Sequence, residues 1–529
     1  MSGTEIVVES KRKINAVNAG TRQLPNEILA KIFKYACPAI DFDKRIVCRG
    51  TSDCLVDYWF DDDQPTTDRE FRAYGSGPPK KPARFSPTYL GAVSSRWRHI
   101  AWSTPQLWTS KVVKFDKKTD AARQLDILRL YCTNVGTMPL EIELDLRPLK
   151  RKEILQAVSE LLFTHLCQKL HLLRIRGAPN AWTPLFSNVA FPYLQELSIG
   201  WEWSYGPLPF SFGIPGAILQ QPPIIPLSIR ILHLHHVRAS VCANILLLSP
   251  WIEELYCYSC KDDAEEDEEE VWLKARHTNL NLKKFGWHFL PNSDWNEAIL
   301  AYLVLPNLES FMLSGLHTIS SDEEALEFLY EFLMSHSSSL KTLELSGLID
   351  RIQVWRDSDR IIHAMSCLPR VETLRITSCS EDFIRSFIPF LEENVDFGPA
   401  RLTREAKPEG IILPRLREVV FKHVLRPCDD YSLYYIAGEF ATMLEERKKF
   451  SNMTYMRWEW SGHGIYWDDD DAVASFKRLA DQGVKVEVVE NGKVLDLFRI
   501  ANLHTAASDG SDEDDDDDIP EVDSFEIED

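Results

Sequence analysis

A short pattern, apolar-x-x-apolar-x-apolar, recurs ten times along the chain. The copies are LHLLRI (from Leu170), LQELSI (Leu194), IRILHL (Ile229), IEELYC (Ile252), LKKFGW (Leu282), LESFML (Leu308), LKTLEL (Leu340), VETLRI (Val371), LREVVF (Leu416) and MTYMRW (Met453). The two-residue step at the end of each copy is the period of a strand with one buried face. Four copies follow a Leu-Pro or Phe-Pro start, as in LPNLESFML, LPRVETLRI, LPRLREVVF and FPYLQELSI. Successive copies lie 23 to 45 residues apart, so the array is irregular. Helical stretches fill the gaps. In SDEEALEFLYEFLMSH, Ser321 is a candidate N-cap, followed by acids in the first turn. SKVVKFD (110–116) and PLEIELDL (139–146) alternate with period two and are expected as the first strands. VKVEVVENGKVLDL, from Val484, predicts a closing hairpin around Asn491-Gly492.

The N-terminal part has helical spacing instead. In TRQLPNEILAKIFKYACP, Ile28, Leu29, Ile32, Phe33 and Ala36 share one face. Pro25 suits the first helical position, Glu27 the first turn, and Pro38 ends the helix. Leu90, Val93, Trp97, Ile100 and Ala101 predict a second amphipathic helix, stopped at Thr104-Pro105, with Leu107 and Trp108 as a further anchor. Between the two lies a polar, Pro- and Gly-broken insertion over 38–86. It is expected to be a long loop, because closure entropy grows only slowly with length. Two short apolar-faced helices must bury those faces on each other or on a partner, so Trp97 is expected near Phe33.

One strand-helix unit cannot bury its apolar face alone, so units of this kind stack and share a core. The period is similar to that of leucine-rich repeats. In that register the three apolar positions of each copy point into the core. The alternating positions line the open, concave sheet face: Arg174, Arg176, His233, His235, Tyr256, Tyr258, Lys284 and His288, then Met312, Glu344, Arg375, Lys422 and Arg457. Aromatic, His and Arg residues concentrate in the earlier copies, and these types are enriched at binding hot spots. Arg174, Arg176, His233, His235, Tyr256, Tyr258 and His288 are therefore the expected partner-binding set, with an ordinary solvated sheet face as the alternative.

Charge adds two appendages. The formal net charge is −21, but 261–270 and 509–529 carry nearly all of it. The rest of the chain taken together is close to neutral, so no global field directs it to nucleic acid. The 505–529 tail is expected to be disordered and solubilising, or to capture basic proteins; 1–20 is expected to be frayed. MSGTEIVVESKRK lacks the apolar centre of a secretory leader, and no apolar run reaches the ~18 residues of a membrane span. The 11 cysteines show no framework spacing, and a reduced, cytoplasmic or nuclear setting is expected. Cys257 and Cys260 have C-x-x-C spacing, but Cys257 sits at a core position, so packed thiols are expected rather than zinc. His233 and His235 leave a metal as a minor alternative. WDDDD (467–471) reads as a solvated helix start. No phosphate loop, nucleophile elbow or H-E-x-x-H occurs.

LPNEILAKIF followed by VSSRWRHIAWSTPQLW resembles an F-box, in particular the F-box-like domains common in mushroom-forming fungi. The matching residues are Leu24-Pro25, Ile32-Phe33, Val93 to Trp97, and Thr104 to Trp108. The resemblance covers about residues 21–110, and the 38–86 insertion departs from it. It implies an α/β chain: a small N-terminal α-helical F-box-like domain (21–110) on an irregular leucine-rich-repeat solenoid (111–500). It further implies a non-catalytic substrate-recognition subunit of a Skp–cullin–F-box ubiquitin ligase, with no cofactor. Leu24, Pro25, Ile28, Leu29, Ile32, Phe33, Val93 and Trp97 would dock the Skp-type adaptor, and through it the cullin. The repeats would hold a protein substrate. A leucine-rich-repeat scaffold that binds no adaptor is the alternative, and an enzyme with its site in the sheet face is a weaker one.

Overall fold

The computed structural model describes residues 20–37, 40, 86–115, 120–147, 149, 151–182, 185–186, 189–201, 225–237, 239–258, 260, 276–289, 293–315, 323–347, 365, 368–379, 383–384, 387–388, 413–424, 432–448, 451–460, 470–490 and 493–496. Most of the insertion, the 261–270 acidic run, the Asn491-Gly492 turn and both termini lie outside the described residues.

The first elements are helical: α1 (Asn26–Ala36), α2 (Pro87–Val93) and α3 (Ser95–Trp102). The single helix expected across 90–101 is two. Ser94 is extended (φ −158°, ψ 165°), and its hydroxyl accepts the Trp97 N–H at 3.1 Å, so it ends α2 and caps α3. The apolar spacing alone ran across this break because Leu90, Ile100 and Ala101 are all buried on the same core.

Sixteen strands follow among the described residues. They are β1 (Ser110–Lys114), β2 (Leu140–Asp145), β3 (Leu170–Ala178), β4 (Glu196–Trp201), β5 (Ile231–His235), β6 (Glu254–Tyr258), β7 (His277–Thr278) and β8 (Lys284–His288). The rest are β9 (Leu303–Val304), β10 (Ser310–Ser314), β11 (Thr342–Ser346), β12 (Thr373–Thr377), β13 (Glu418–Val424), β14 (Tyr455–Trp460), β15 (Lys485–Glu490) and β16 (Lys493–Val494). Fourteen of them make one sheet in strict chain order; β7 and β9 pair separately. Every neighbouring pair in the large sheet is parallel except β15–β16, which closes it antiparallel, as the Asn-Gly turn predicts.

All ten repeated segments contribute strands to this sheet, and all three apolar positions in each copy are buried, from Leu170, Leu173 and Ile175 to Met453, Met456 and Trp458. Fully burying an aliphatic or aromatic side chain of this size contributes about 1.5–3 kcal/mol, so the repeated triplets are the main source of cohesion along the array. Helices pack on this apolar face. Among them are α4 (Ala121–Asn134), α5 (Lys152–Glu160), α6 (Ala239–Leu248), α7 (Asp294–Tyr302), α8 (Glu323–His336), α9 (Ser432–Lys448) and α10 (Asp470–Asp481). Phe332 of α8 meets Phe311 at 4.7 Å, Phe440 of α9 meets Phe421 at 4.8 Å, and the Trp287 indole N–H donates to Asn296 Oδ1 of α7 at 3.3 Å.

Trp108 joins the helical module to the sheet. It is fully buried, donates from its indole to the Ala101 carbonyl at 2.8 Å, and meets Tyr131 of α4 edge-on at 4.9 Å. No helix among the described residues is long and apolar enough to cross a membrane.

Candidate functional site

Two surfaces gather the chemistry that the sequence singles out. The first is the helical module. Phe33 and Trp97 pack with ring centroids 4.8 Å apart, so the expected contact across the insertion is made. Leu29 and Phe33 are fully buried; they hold the module together and offer nothing to a partner. Leu24 and Trp97 are half-buried, and Pro25 is exposed. Ile28 is 40% exposed, Ile32 43% and Tyr35 87%, at spacing i, i+4, i+7 on α1. The helix is therefore apolar on two sides, one inward and one facing water. Val93 is exposed as well, joined by Tyr89 of α2 and Trp102 of α3. Tyr35, Tyr89 and Trp102 are additions that sequence reasoning missed. Their exposure depends on where the three helices meet, and spacing along one helix does not report that.

The second surface is the sheet face opposite the helices. Its register aligns one row as Glu143, Arg174, Ser198, His233, Tyr256, Gly286, Met312, Glu344 and Arg375 across successive strands. A second row begins Asp145, Arg176, Gly200, His235 and Tyr258. At its centre is a stacked quartet. His233 lies on Tyr256 at 4.7 Å and 7°, and His235 on Tyr258 at 4.6 Å and 17°. Gly286 beside it accommodates Tyr256: a Cβ there would lie 2.7 Å from Tyr256 Cδ1 and 2.9 Å from Met312 Cε.

Several side chains expected to be free for binding are engaged internally. Arg174 and Glu196 are both buried and bonded, Nε to Oε1 at 2.8 Å and Nη2 to Oε1 at 2.6 Å. His233 and Tyr258 are buried; Arg176, His235, Tyr256 and His288 are half-buried. His288 Nδ1 lies 3.1 Å from Ser314 Oγ. Burial, and then the neighbouring His235 and Arg174, hold His233 well below the usual imidazole range. Burial and His236 press His235 down to about 3. Burial and Glu254 push the Tyr256 phenol far up, and burial does the same to Tyr258. The quartet is thus neutral near pH 7, a patch suited to apolar and hydrogen-bonding contact. Charge resumes farther along, where Arg457 bonds Glu459 and Glu487 at 2.7 and 3.0 Å. Burial lifts Glu344 and lowers Lys422.

Behind the sheet, Cys257 and Cys260 are joined by Cys242 of α6, with all three sulfurs within 4.8 Å of one another. This is the one such cluster of metal-capable side chains among the described residues. Cys257 does face the core, and burial drives the Cys242 and Cys257 thiols far up, so at neutral pH they pack as uncharged groups. Their convergence with Cys242 is a tertiary fact that the C-x-x-C spacing could not carry.

No family model matches the chain, and no curated protein matches it.

Proposed function

We propose that the chain is the substrate-recognition subunit of a Skp–cullin–F-box ubiquitin ligase. In this reading α1–α3 are an F-box-like module and the parallel sheet is a leucine-rich-repeat solenoid. The observation that carries it is the water-facing stripe Ile28, Ile32, Tyr35 on α1. Anchors at i, i+4 and i+7 are how a helix enters a partner's groove, and leaving them in water has no structural benefit to the isolated chain. The Skp-type adaptor, linked to a cullin, is the partner that the F-box resemblance assigns to this stripe. A protein substrate contacts the open sheet face, with Tyr256, His235, His288 and Arg176 as its accessible side chains.

The chain performs no bond chemistry of its own in this scheme. Holding a substrate lysine near a charged ubiquitin-conjugating enzyme raises its effective concentration, which is catalysis by proximity. The test is co-elution of the full-length chain with a purified Skp-type adaptor. The wild-type chain is expected to form a stoichiometric complex, and Ile28→Asp with Ile32→Asp to abolish it. Failure of the wild-type chain to bind, or undiminished binding by the double variant, overturns the proposal and leaves a scaffold without an adaptor.

A further inference from the structure

The start of α1 lacks an ordinary cap. Pro25 occupies the N-cap position, where no side chain accepts a hydrogen bond from the first turn. A side chain from another helix holds it instead. Arg96 of α3 donates from Nη2 to the Leu24 carbonyl at 2.5 Å and from Nη1 to the Thr21 carbonyl at 3.3 Å. It also donates from Nε and Nη2 to Asn26 Oδ1 at 3.1 and 2.9 Å. One guanidinium thus bridges the turn Gly20–Gln23, the Leu24-Pro25 step and the first residue of α1.

The arrangement carries an electrostatic cost. A cation at a helix N-terminus opposes the helix dipole, where an acid would favour it. A guanidinium is nonetheless suited to fixing several oxygens at once, because its donors form a rigid planar fork. The groups that it fixes lead directly into the exposed stripe: Pro25 is exposed, and Ile28 follows one turn later.

We infer that Arg96 is a positioning residue for adaptor docking, setting the entry angle of Leu24-Pro25 and the phase of α1 so that Ile28 and Ile32 are presented together. The inference rests on the adaptor reading above. Arg96 acts through α1, so its removal leaves the Phe33–Trp97 core and the sheet in place.

The test uses the full-length chain and purified Skp-type adaptor, with affinity measured by calorimetry. Arg96→Ala is expected to weaken binding about tenfold, because the start of α1 must then be ordered on docking. Arg96→Lys is expected to recover part of that loss. The melting temperature and the near-ultraviolet tryptophan signal are expected to match wild type, which a general structural role would not allow. The ratio of wild-type to Arg96→Ala affinity is expected to be the same at low and high salt, as for a residue that does not itself pair with the adaptor. A double-mutant cycle with Leu24→Ala is expected to be non-additive. Equal affinity of wild type and Arg96→Ala overturns the inference while leaving the adaptor reading intact. A melting temperature that falls together with affinity in Arg96→Ala and is not restored in Arg96→Lys overturns it in favour of plain fold maintenance. Failure of the wild-type chain to bind is instead the failure of the function proposed above.

Discussion

Phe33 and Trp97 lie ring against ring, 4.8 Å apart with planes tilted by 55°, although the whole insertion separates them in sequence. Phe33 is fully buried, and its neighbour Ile32 is 43% exposed. Two adjacent apolar residues on one helix therefore have opposite roles. Phe33→Ala is expected to cost about 3–5 kcal/mol in the helical module, seen as an early transition in urea and a loss of near-ultraviolet tryptophan signal. An unchanged unfolding profile for Phe33→Ala would show that the contact does not organise the module.

Ile32→Ala, in contrast, is expected to change stability by no more than about 0.5 kcal/mol, as for surface substitutions generally. The same variant is expected to lose adaptor affinity in calorimetry. A large stability loss with unchanged affinity would place Ile32 in the core rather than on the docking stripe.

The boundary between what was legible in the sequence and what was not follows from this contrast. Period two, repeated from Leu170 to Trp458, specified the strands because a one-residue slip would expose every triplet. Leu29 and Phe33 were legible as apolar helix positions, but which apolar face of α1 turns inward is decided by α3, a partner distant in sequence. The break at Ser94 was hidden because a serine can sit in a helix or cap one, and only its extended backbone distinguishes the two. The sheet-face residues were placed correctly by alternation. Their availability was not, since Arg174 is drawn to Glu196 on the next strand and alternation says nothing of pairing.

The stacked quartet has a consequence for acid stability. His233 and His235 titrate well below the usual 6.5 in the folded chain, His235 near 3, with burial the leading cause for both. His336 is also lowered by burial; it accepts the Leu305 N–H at 3.0 Å through Nε2, so it is neutral. A histidine with a depressed folded pKa binds fewer protons folded than unfolded. Its contribution is fully present above pH 6.5 and is lost as pH falls from there toward the folded value. The melting temperature is therefore expected to drop between pH 7 and pH 4, and His235→Gln to drop less steeply. Glu344, raised by burial, titrates in both proteins and cancels in the comparison. Parallel pH profiles for wild type and His235→Gln would show that His235 is not held neutral.

Gly286 fixes where Tyr256 sits. A methyl group at this position would lie 2.7 Å from Tyr256 Cδ1 and 2.9 Å from Met312 Cε, inside contact distance of both. The thioether end of Met312 can swing aside, but Tyr256 is held on its other side by His233. Gly286→Ala is expected to destabilise the chain by about 1–3 kcal/mol, the usual range for overpacking, and to alter the tyrosine near-ultraviolet signal. An Ala variant with wild-type stability and an unshifted spectrum would mean that the ladder has room at this strand.

The Arg174–Glu196 pair separates burial from pairing. Both side chains are buried, and the guanidinium spends two donors on one carboxylate oxygen. Removing Arg174 takes two charge-assisted hydrogen bonds from the buried Glu196 carboxylate, so Arg174→Met is expected to cost about 3–5 kcal/mol in urea unfolding. Replacing both, as Arg174→Met with Glu196→Leu, removes the buried carboxylate together with its cation and is expected to recover most of that loss. The two single variants should therefore be strongly non-additive. If the double variant were as unstable as the two single losses combined, the pair would act through packing shape rather than through compensation of charge.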